Sequence, residues 1–447
     1  MMNNLKKDYF WNTLGTSLFS FNSLFFMIVV TRFNSLSDAG IFSFAYATAG
    51  IINYFALYSG RTYQISNTNE KFTGSLYIVT RYLTAFFALL ISIVFVVING
   101  YPLNKPIVIL LLCIVKCLEA VSDVYYGILQ GHSKLYIAGK SMTYKSLISV
   151  IGFIIIDLLT RNLIVSCFYL LIVNIAVLIL YDIRNTSKFM HIVKDFKKSS
   201  IILLLRVSSY TFLFTLTVTV IMNLPRYFID FFLNDTDQAI YGIISMPATF
   251  VMLFSQFIFQ PSLLSLTSFY KRHDKKNFNL AVLKISSVLL GSMIIILPVA
   301  YVAGIPVLEL VYGVELSKYL NYLLLVILML IASVLMCFIV LIQNSKGGGL
   351  ASGFSSSNQI MGVRKTTDFL EKATWTLAAV MVVFSIVSAY TIPSSSSKGG
   401  DVILEQAQQE EKTNPYNMPV GTEAPQSEAP AEVPAEAAPA AQETPAN

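Results

Sequence analysis

Long apolar stretches alternate with short polar segments along the chain as far as residue 392. Apolar runs of about 17–25 residues can cross the hydrocarbon core of a bilayer, about 30 Å thick, as single helices. The pattern therefore predicts an all-α, polytopic membrane protein with about eleven transmembrane helices. The predicted spans are 9–31, 38–60, 81–100, 104–128, 146–160, 162–182, 202–224, 243–266, 283–304, 321–342 and 373–392.

The composition agrees with this pattern. Hydrophobic residues make up 55% of the 447 residues and charged residues 13%. These values exclude a disordered chain and argue against an ordinary soluble globular domain. The first apolar stretch lacks a small-residue cleavage site, so we expect it to be retained as a transmembrane helix and not removed as a signal peptide.

The distribution of Lys and Arg predicts the orientation. Basic residues cluster in every second loop, and cytoplasmic loops are the ones enriched in Lys and Arg. We therefore expect a cytoplasmic N-terminus. The loops on the other side carry only isolated bases. The bases assigned to the cytoplasmic side include Lys6, Lys7, Arg61, Lys71, Lys134, Lys140, Lys145, Lys271, Arg272, Lys346 and Arg364.

The C-terminal segment 395–447 has a different composition. Residues 401–447 contain nine acidic residues and one basic residue, and residues 415–447 contain seven Pro and nine Ala. Such a segment buries too little apolar surface to offset the entropy lost on ordering. We expect a disordered, acidic, Pro/Ala/Glu-rich tail on the side opposite the N-terminus. It serves either as a solvated spacer or as a charged recognition tail.

A short internal repeat marks two equivalent helix starts. Arg32 precedes an acidic turn at 36–43, and Arg226 precedes a similar turn at 234–242. Each copy has a base near the end of one helix, then an acidic turn, then a small and aromatic start to the next helix. Six predicted spans separate equivalent points, so the two copies run parallel and not inverted.

Residues 1–320 resemble a Wzx-type polysaccharide (O-antigen) flippase. The motifs are short and the resemblance rests on their order. Members of that family usually have twelve or more helices in two bundles, whereas here the second bundle stops after its third helix. The motifs are Asn12-Thr13-Leu14-Gly15, Ser37-Asp38-Ala39-Gly40, Leu129-Gln130-Gly131, the turn 237–242 and Leu310-Val311-Tyr312-Gly313.

Residues 321–394 resemble SecG, a small subunit of the SecYEG protein-export channel. A predicted span leads to Gln343-Asn344-Ser345-Lys346-Gly347-Gly348-Gly349, and a Gly/Ser-rich loop then leads to Phe369-Leu370-Glu371-Lys372 and a second span. The resemblance implies a two-helix hairpin with a cytoplasmic loop at 343–372. The chain is thus predicted to be a fusion of two membrane proteins.

These resemblances imply two alternative functions. The first is an auxiliary subunit of the Sec channel, with SecY, SecE and the SecA motor as partners, in the inner membrane of a bacterial cell with the tail in the periplasm. The alternative is a flippase that moves lipid-linked oligosaccharide across that membrane. We rank the export function first, because its hairpin is complete and its motif is more specific.

The translocon-contact loop implied by the SecG resemblance carries no catalytic constellation. The triple glycine lacks the residue order of a phosphate-binding P-loop. Its glycines end a helix and permit close approach to a partner's backbone. The residues assigned to this loop are Gln343, Asn344, Lys346, Gly347, Gly348, Gly349, Phe369 and Lys372.

The candidate flippase cavity rests on charges inside predicted spans. Lys116, Glu119 and Asp123 share one face of a helix at spacings of three and seven residues. Charges at membrane depth point into protein or a water-filled cavity. They either line a path for a pyrophosphate-linked sugar lipid or form a self-neutralising ion pair. Arg206 and Arg226 either grip phosphate or extend to the membrane surface.

We expect no metal, no cofactor and no nucleic-acid partner. The four cysteines lie in apolar runs, and the three histidines lie far apart. A polytopic glycosyltransferase would need an acidic metal-binding pair or large polar loops, and the sequence has neither. We therefore expect a protein that is not an enzyme and that contacts membrane lipids along its spans.

Overall fold

In the computed structural model, every regular element of the described part of the chain is a helix. The described residues are 2–58, 60–66, 72–102, 104–190, 198–247, 249, 298–342, 372, 374–384 and 387, with isolated residues between 269 and 291. The helices are α1 (Met2–Phe33), α2 (Leu36–Leu57), α3 (Gly60–Ser66), α4 (Gly74–Asn99), α5 (Asn104–Gly131), α6 (Leu135–Thr160), α7 (Leu163–Val177), α8 (Arg184–Thr186), α9 (Lys198–Phe232), α10 (Asp235–Ile244), α11 (Ile305–Tyr312), α12 (Leu320–Ile342) and α13 (Thr374–Phe384).

Three of these helices are continuous with π-helical segments. A π-helical segment, Leu178–Ile183, joins α7 to α8, and another, Ala300–Gly304, leads into α11. π-helical turns are rare in proteins, and many of those that do occur are found at functional sites.

Six helices in the described part of the chain are long and apolar enough to cross a membrane. The all-α, polytopic membrane fold predicted from the sequence is confirmed. Helix α5 is as long as its neighbours, but it carries Lys105, Lys116, Glu119 and Asp123 among its apolar residues. The six helices are Lys7–Phe33, Leu36–Leu57, Gly74–Asn99, Leu135–Thr160, Leu163–Thr186 and Lys198–Phe232.

Several predicted boundaries differ from the structure or lie outside it. The predicted span 146–160 is part of a longer helix, because α6 already begins at Leu135. Most of the span 243–266, half of the span 283–304 and the tail 395–447 lie outside the described residues. The division into 1–320, 321–394 and 395–447 therefore stays a prediction.

The two copies of the predicted internal repeat are both capped helix starts. Ser35 Oγ accepts a hydrogen bond from the Asp38 backbone N–H at 3.1 Å, and the Asp38 carboxylate accepts one from the Ser35 N–H at 3.3 Å. At the second start, Asn234 Oδ1 accepts from the Asp237 N–H at 2.9 Å. Both copies thus use a short polar side chain to satisfy free N–H groups.

The two capped starts also pack against each other, at what we name the α2–α10 crossing. A Cβ atom added to Gly40 would lie 1.6 Å from the carbonyl oxygen of Asp235, so only glycine allows this approach. The two helices are also close at Ser43, one turn further along α2. A Cβ added to Gly242 of α10 would lie 2.7 Å from Ser43 Oγ. The internal repeat therefore supplies both sides of one helix crossing.

A group of charged residues ties the α4–α5 turn to the junction of α9 and α10. Lys105 Nζ lies 2.5 Å from Asp230 Oδ1 and 2.6 Å from Asp235 Oδ1. Tyr101 donates a hydrogen bond to Asp230 at 2.7 Å. Burial, followed by the neighbouring Asp230, raises the pKa of the Tyr101 hydroxyl well above its usual value. We name Lys105, Asp230 and Asp235 the lysine clamp.

A main hydrophobic core runs through most of the described helices, and a smaller cluster lies between α5 and α6. Helix α1 packs along α6, where a Cβ on Gly139 would lie 2.4 Å from the Trp11 carbonyl oxygen. Helix α2 packs against α4, α5, α9 and α10. Leu323 and Ile327 of α12 are buried in the same core as residues of α1, α2 and α5. The first helix of the SecG-like region is therefore part of the same packed bundle.

Candidate functional site

The candidate site is a polar cavity enclosed by α1, α2, α5, α6 and α7. It contains about 400 Å³ of unfilled space, counted with the open space at its mouth. The enclosed part of this space, about 20 Å³, is large enough for about one water molecule. Its lining is Phe19, Asn22, Phe26, Tyr46, Leu112, Val115, Lys116, Glu119, Lys145, Ser149, Leu170 and Asn174. We name it the five-helix cavity.

A lysine–glutamate pair lies on the α5 wall of the cavity. Lys116 Nζ is 2.7 Å from Glu119 Oε2, and the two side chains are 11% and 15% exposed. The ammonium also lies 4.7 Å from the centre of the Tyr46 ring and 5.6 Å from that of Phe19. A carboxylate and two aromatic faces thus surround one cation, an arrangement that lowers the cost of holding charge inside a membrane.

A second buried lysine lies on the α6 wall. Lys145 Nζ donates to Ser122 Oγ at 2.7 Å and lies 3.6 Å from Asp182 Oδ2. Asp182 is in the π-helical turn after α7 and also accepts hydrogen bonds from Ser141 and Tyr126. Both charged side chains are at most 2% exposed. The charge of Lys145 is therefore neutralised inside the bundle.

Uncharged polar groups complete the lining. Asn22 donates from Nδ2 to Ser146 Oγ at 3.3 Å, and Asn174 donates to the Leu170 carbonyl at 2.9 Å. The Oδ1 atom of Asn174 is buried without a hydrogen-bond partner. A buried acceptor without a donor is costly, so this atom is suited to accept from a water molecule or a ligand hydroxyl.

The predicted charged set on α5 is divided between two places. Lys116 and Glu119 line the five-helix cavity, as described above. Asp123 instead lies 3.8 Å from Arg61 Nε of α3 and 3.9 Å from Arg81 Nη2 of α4. The three residues share a helical face, but Asp123 is one turn further along and meets different neighbours.

The two arginines of α9 that were predicted to belong to the candidate cavity also lie away from it. Arg206 is exposed on the surface of α9. Arg226 is near the other end of α9, where it donates to the Ser43 carbonyl at 3.4 Å and to Ser43 Oγ. Its guanidinium carbon lies 5.5 Å from the centre of the Tyr241 ring. Arg226 thus joins α9 to the α2–α10 crossing.

The predicted translocon-contact loop is almost entirely outside the described residues. Lys372 is described and is exposed just before α13. The other residues assigned to the loop have no described position and stay a prediction. They are Gln343, Asn344, Lys346, Gly347, Gly348, Gly349 and Phe369.

Lys145, Asp182 and Arg81 are buried charges that the sequence interpretation did not assign to a site. Lys145 was assigned to a cytoplasmic loop, because the polar residues around it resemble the end of a span. A signal was nevertheless present, since Ser141, Lys145 and Ser149 recur every four residues and so lie on one helical face. That spacing is typical of a polar face turned into a bundle.

The fold is similar to that of a solved membrane transporter. A solved inward-facing conformation of a multidrug resistance MATE family transporter of the MOP superfamily matches with a TM-score of 0.50, over 86% of this chain and 100% of that chain. The sequence identity is 12%, so the likeness concerns the fold alone.

A curated relative agrees with the flippase-like resemblance of the N-terminal part. The capsular polysaccharide biosynthesis protein CapF of Staphylococcus aureus is 25% identical over 317 residues, which are 68% of this chain and 75% of that protein.

The SecG resemblance is confirmed by a family model. Residues 322–410 match the model of the preprotein translocase SecG subunit. The matched segment begins one residue after the predicted start of the hairpin and extends into the acidic tail. It includes α12 and α13 of the described structure.

Proposed function

We propose that the helical bundle of residues 1–320 is a flippase-type carrier for lipid-linked oligosaccharide. The observation that carries the proposal is the five-helix cavity, which places the Lys116–Glu119 pair and Lys145 inside a bundle with a transporter fold. Ionisable groups within a membrane are rare and mark substrate or ion pathways. The similarity to a capsular polysaccharide biosynthesis protein supports a polysaccharide precursor as the substrate class.

The size of the cavity limits its role. The enclosed volume of about 20 Å³ accommodates about one water molecule or one hydroxyl group, not a sugar ring or a lipid-linked repeat unit. We infer that the cavity binds one polar part of the substrate or the water molecules that move with it. The Asn174 Oδ1 acceptor and the Lys116 ammonium are the groups that would contact it.

Complementation tests this proposal. The full chain is expressed in a bacterial strain whose O-antigen or capsule export is blocked, and surface polysaccharide is measured. We expect partial rescue, with Lys116→Ala lowering export about tenfold or more through loss of one charge-assisted contact. Lys188→Ala is the matched control, because that lysine is exposed on the loop after α8.

Two outcomes would contradict the carrier function. One is no rescue by this chain when S. aureus CapF rescues the same strain. The other is full rescue by Lys116→Ala, which would remove Lys116 from the site. Protein amount in the membrane is measured for each variant, so that poor insertion is not mistaken for loss of transport.

A second candidate function is an auxiliary subunit of the Sec channel. It is favoured by the match of residues 322–410 to the SecG family model. In this proposal the loop 343–372 contacts SecY and assists SecA-driven polypeptide movement. The face of α12 that holds Leu323 and Ile327 is buried in the bundle, so only its other faces are available to a partner.

Copurification tests the export function separately. Tagged full-length protein is purified in mild detergent, and bound SecY and SecE are quantified. We expect SecY to be retained, and we expect replacement of residues 346–349 by four alanines to reduce it. Absence of SecY from the unmodified protein would contradict this function. Lys116→Ala leaves the hairpin intact and serves as the control.

A further inference from the structure

Two arginines share one carboxylate of α5, one turn beyond the residues of α5 that line the five-helix cavity. Arg61 of α3 and Arg81 of α4 lie 3.8 Å and 3.9 Å from the two oxygens of Asp123. Within the part of the chain that the structure describes, this group carries two positive charges and one negative charge. We name it the arginine cluster.

The guanidinium groups of the cluster make few hydrogen bonds. Each guanidinium offers five N–H donors, and Asp123 lies beyond hydrogen-bond distance of both. Among the described residues, Arg81 donates one hydrogen bond, to the Ala56 carbonyl at 3.5 Å, and that oxygen already accepts a 2.7 Å bond from Thr84. The Nη1 atom of Arg61 is buried without a partner. Such donors need an acceptor that the described residues do not supply.

The position of the cluster leaves it accessible from one side. Arg81 is 4% exposed, whereas Arg61 and Asp123 are 27% and 24% exposed. Gln64, one turn after Arg61, donates to the Val124 carbonyl at 3.3 Å and so fixes α3 against α5. The α3 segment that carries Arg61 is therefore fixed, and the Arg61 side chain remains partly exposed.

We propose that the arginine cluster binds a phosphate group. A phosphate oxyanion matches the planar fork of donors on a guanidinium and balances the excess positive charge. Asp123 holds the two arginines in place and also competes with the incoming anion. The phosphate belongs either to a diphosphate-linked sugar substrate or to a membrane phospholipid. The proposal depends on the carrier function only for the choice between these two sources.

The experiment measures stabilisation by a ligand. A ligand that binds only the folded state raises the apparent unfolding temperature in proportion to its affinity. Purified full-length protein in a zwitterionic detergent is titrated with sodium pyrophosphate in one series and with phosphatidylglycerol in the other. Sodium chloride at matched ionic strength and diacylglycerol are the respective controls, since neither supplies phosphate.

Three variants give the expected pattern. Arg61→Gln should weaken binding of whichever probe stabilises the protein, pyrophosphate or phosphatidylglycerol, about tenfold or more, because it removes a charged guanidinium. Asp123→Asn should tighten binding about threefold to tenfold, because the competing charge is lost. A merely damaged protein would not bind more tightly. Arg184→Gln, at an exposed arginine of α8, should bind as the unmodified protein does.

The outcomes distinguish whether the phosphate site exists from which molecule supplies the phosphate. Stabilisation by pyrophosphate that depends on Arg61 supports the site and a diphosphate ligand. Stabilisation by phosphatidylglycerol alone, again dependent on Arg61, supports the site with a membrane lipid as the source. No stabilisation by either probe, or unchanged binding in Arg61→Gln, overturns the proposal. Failed complementation with intact Arg61-dependent binding would reject the carrier function and leave the site standing.

Discussion

The α2–α10 crossing makes a sharp prediction about Gly40. In Gly40→Ala the new Cβ would lie 1.6 Å from the Asp235 carbonyl oxygen, 2.5 Å from its carbonyl carbon and 3.0 Å from its Cα. Ordinary carbon–oxygen contacts are about 3.3 Å or longer. The two helices must therefore separate by about 1.5–2 Å, since backbone atoms cannot rotate out of the way as a side chain would.

The magnitude follows from two opposing effects. Overpacking in a well-packed region costs about 1–3 kcal/mol, and a backbone clash belongs at the upper end. Alanine is favoured over glycine inside a helix by about 1 kcal/mol. We therefore expect Gly40→Ala to lower the free energy of unfolding by about 2 kcal/mol. The shift of α10 would also lengthen the 2.6 Å contact between Lys105 and Asp235.

Gly50 provides a matched control in the same helix. A Cβ added to Gly50 meets nothing within 4 Å, so Gly50→Ala keeps the helix-propensity gain without the clash. We expect it to stabilise the protein by up to about 1 kcal/mol. The assay is thermal and denaturant unfolding of both variants in the same detergent. Equal stability of Gly40→Ala and the unmodified protein would refute the crossing, as would equal losses in both variants.

Two further predictions concern the lysine clamp. Lys105→Met leaves two carboxylates facing each other, and breaking a buried ion pair costs about 3–5 kcal/mol. Because Asp235 is 28% exposed, we expect a loss of about 3 kcal/mol in the free energy of unfolding, measured with denaturant. Lys318 is exposed, and a loss in Lys105→Met no larger than that in Lys318→Met would contradict the clamp. The raised pKa of Tyr101 means that the folded state keeps its hydroxyl proton longer than the unfolded state, so stability should fall as the pH rises above about 10. Tyr101→Phe should reduce that fall, and an identical pH profile would contradict the raised pKa of Tyr101.

The helices and the internal repeat could be predicted because both depend on local signals. Apolar runs set the positions of α1, α2, α4, α7 and α9, and short polar side chains mark the helix starts. The acidic turns at 36–43 and 234–242 predicted two equivalent helix starts, and Ser35 and Asn234 confirm them as caps. The sequence could not predict that the two starts cross each other, because that contact joins residues far apart in the chain.

The arrangement of charges could be predicted only in part, because hydropathy does not show which polar face is turned inward. Lys116 and Glu119 are one turn apart, and their pairing follows from helical geometry alone. The partners of Asp123 are on α3 and α4, and the partner of Lys145 is in a π-helical turn. Lys105 lies at the start of the predicted span 104–128, and the sequence does not indicate the two carboxylates that flank it. Each of these pairs depends on tertiary packing.

The two proposed functions both involve helix α12. The transporter-fold match covers 86% of the chain, whereas residues 1–320 are 320 of 447, or about 72%, so the match extends beyond residue 320. Leu323 of α12 is fully buried, and a Cβ on Gly304 would lie 2.8 Å from its Cδ2 atom. The same helix begins the segment that matches SecG.

If α12 docked on a channel through its buried face, Leu323 and Ile327 would have to leave the bundle core. In a membrane this would cost these side chains their close packing in the bundle, because lipid tails are as apolar as leucine and packing is what holds the helices together. A Sec partner would therefore bind through the loop and the outer faces of the hairpin, with the bundle intact. In that arrangement both functions are compatible in one chain, because the five-helix cavity lies among α1, α2, α5, α6 and α7 and does not include α12.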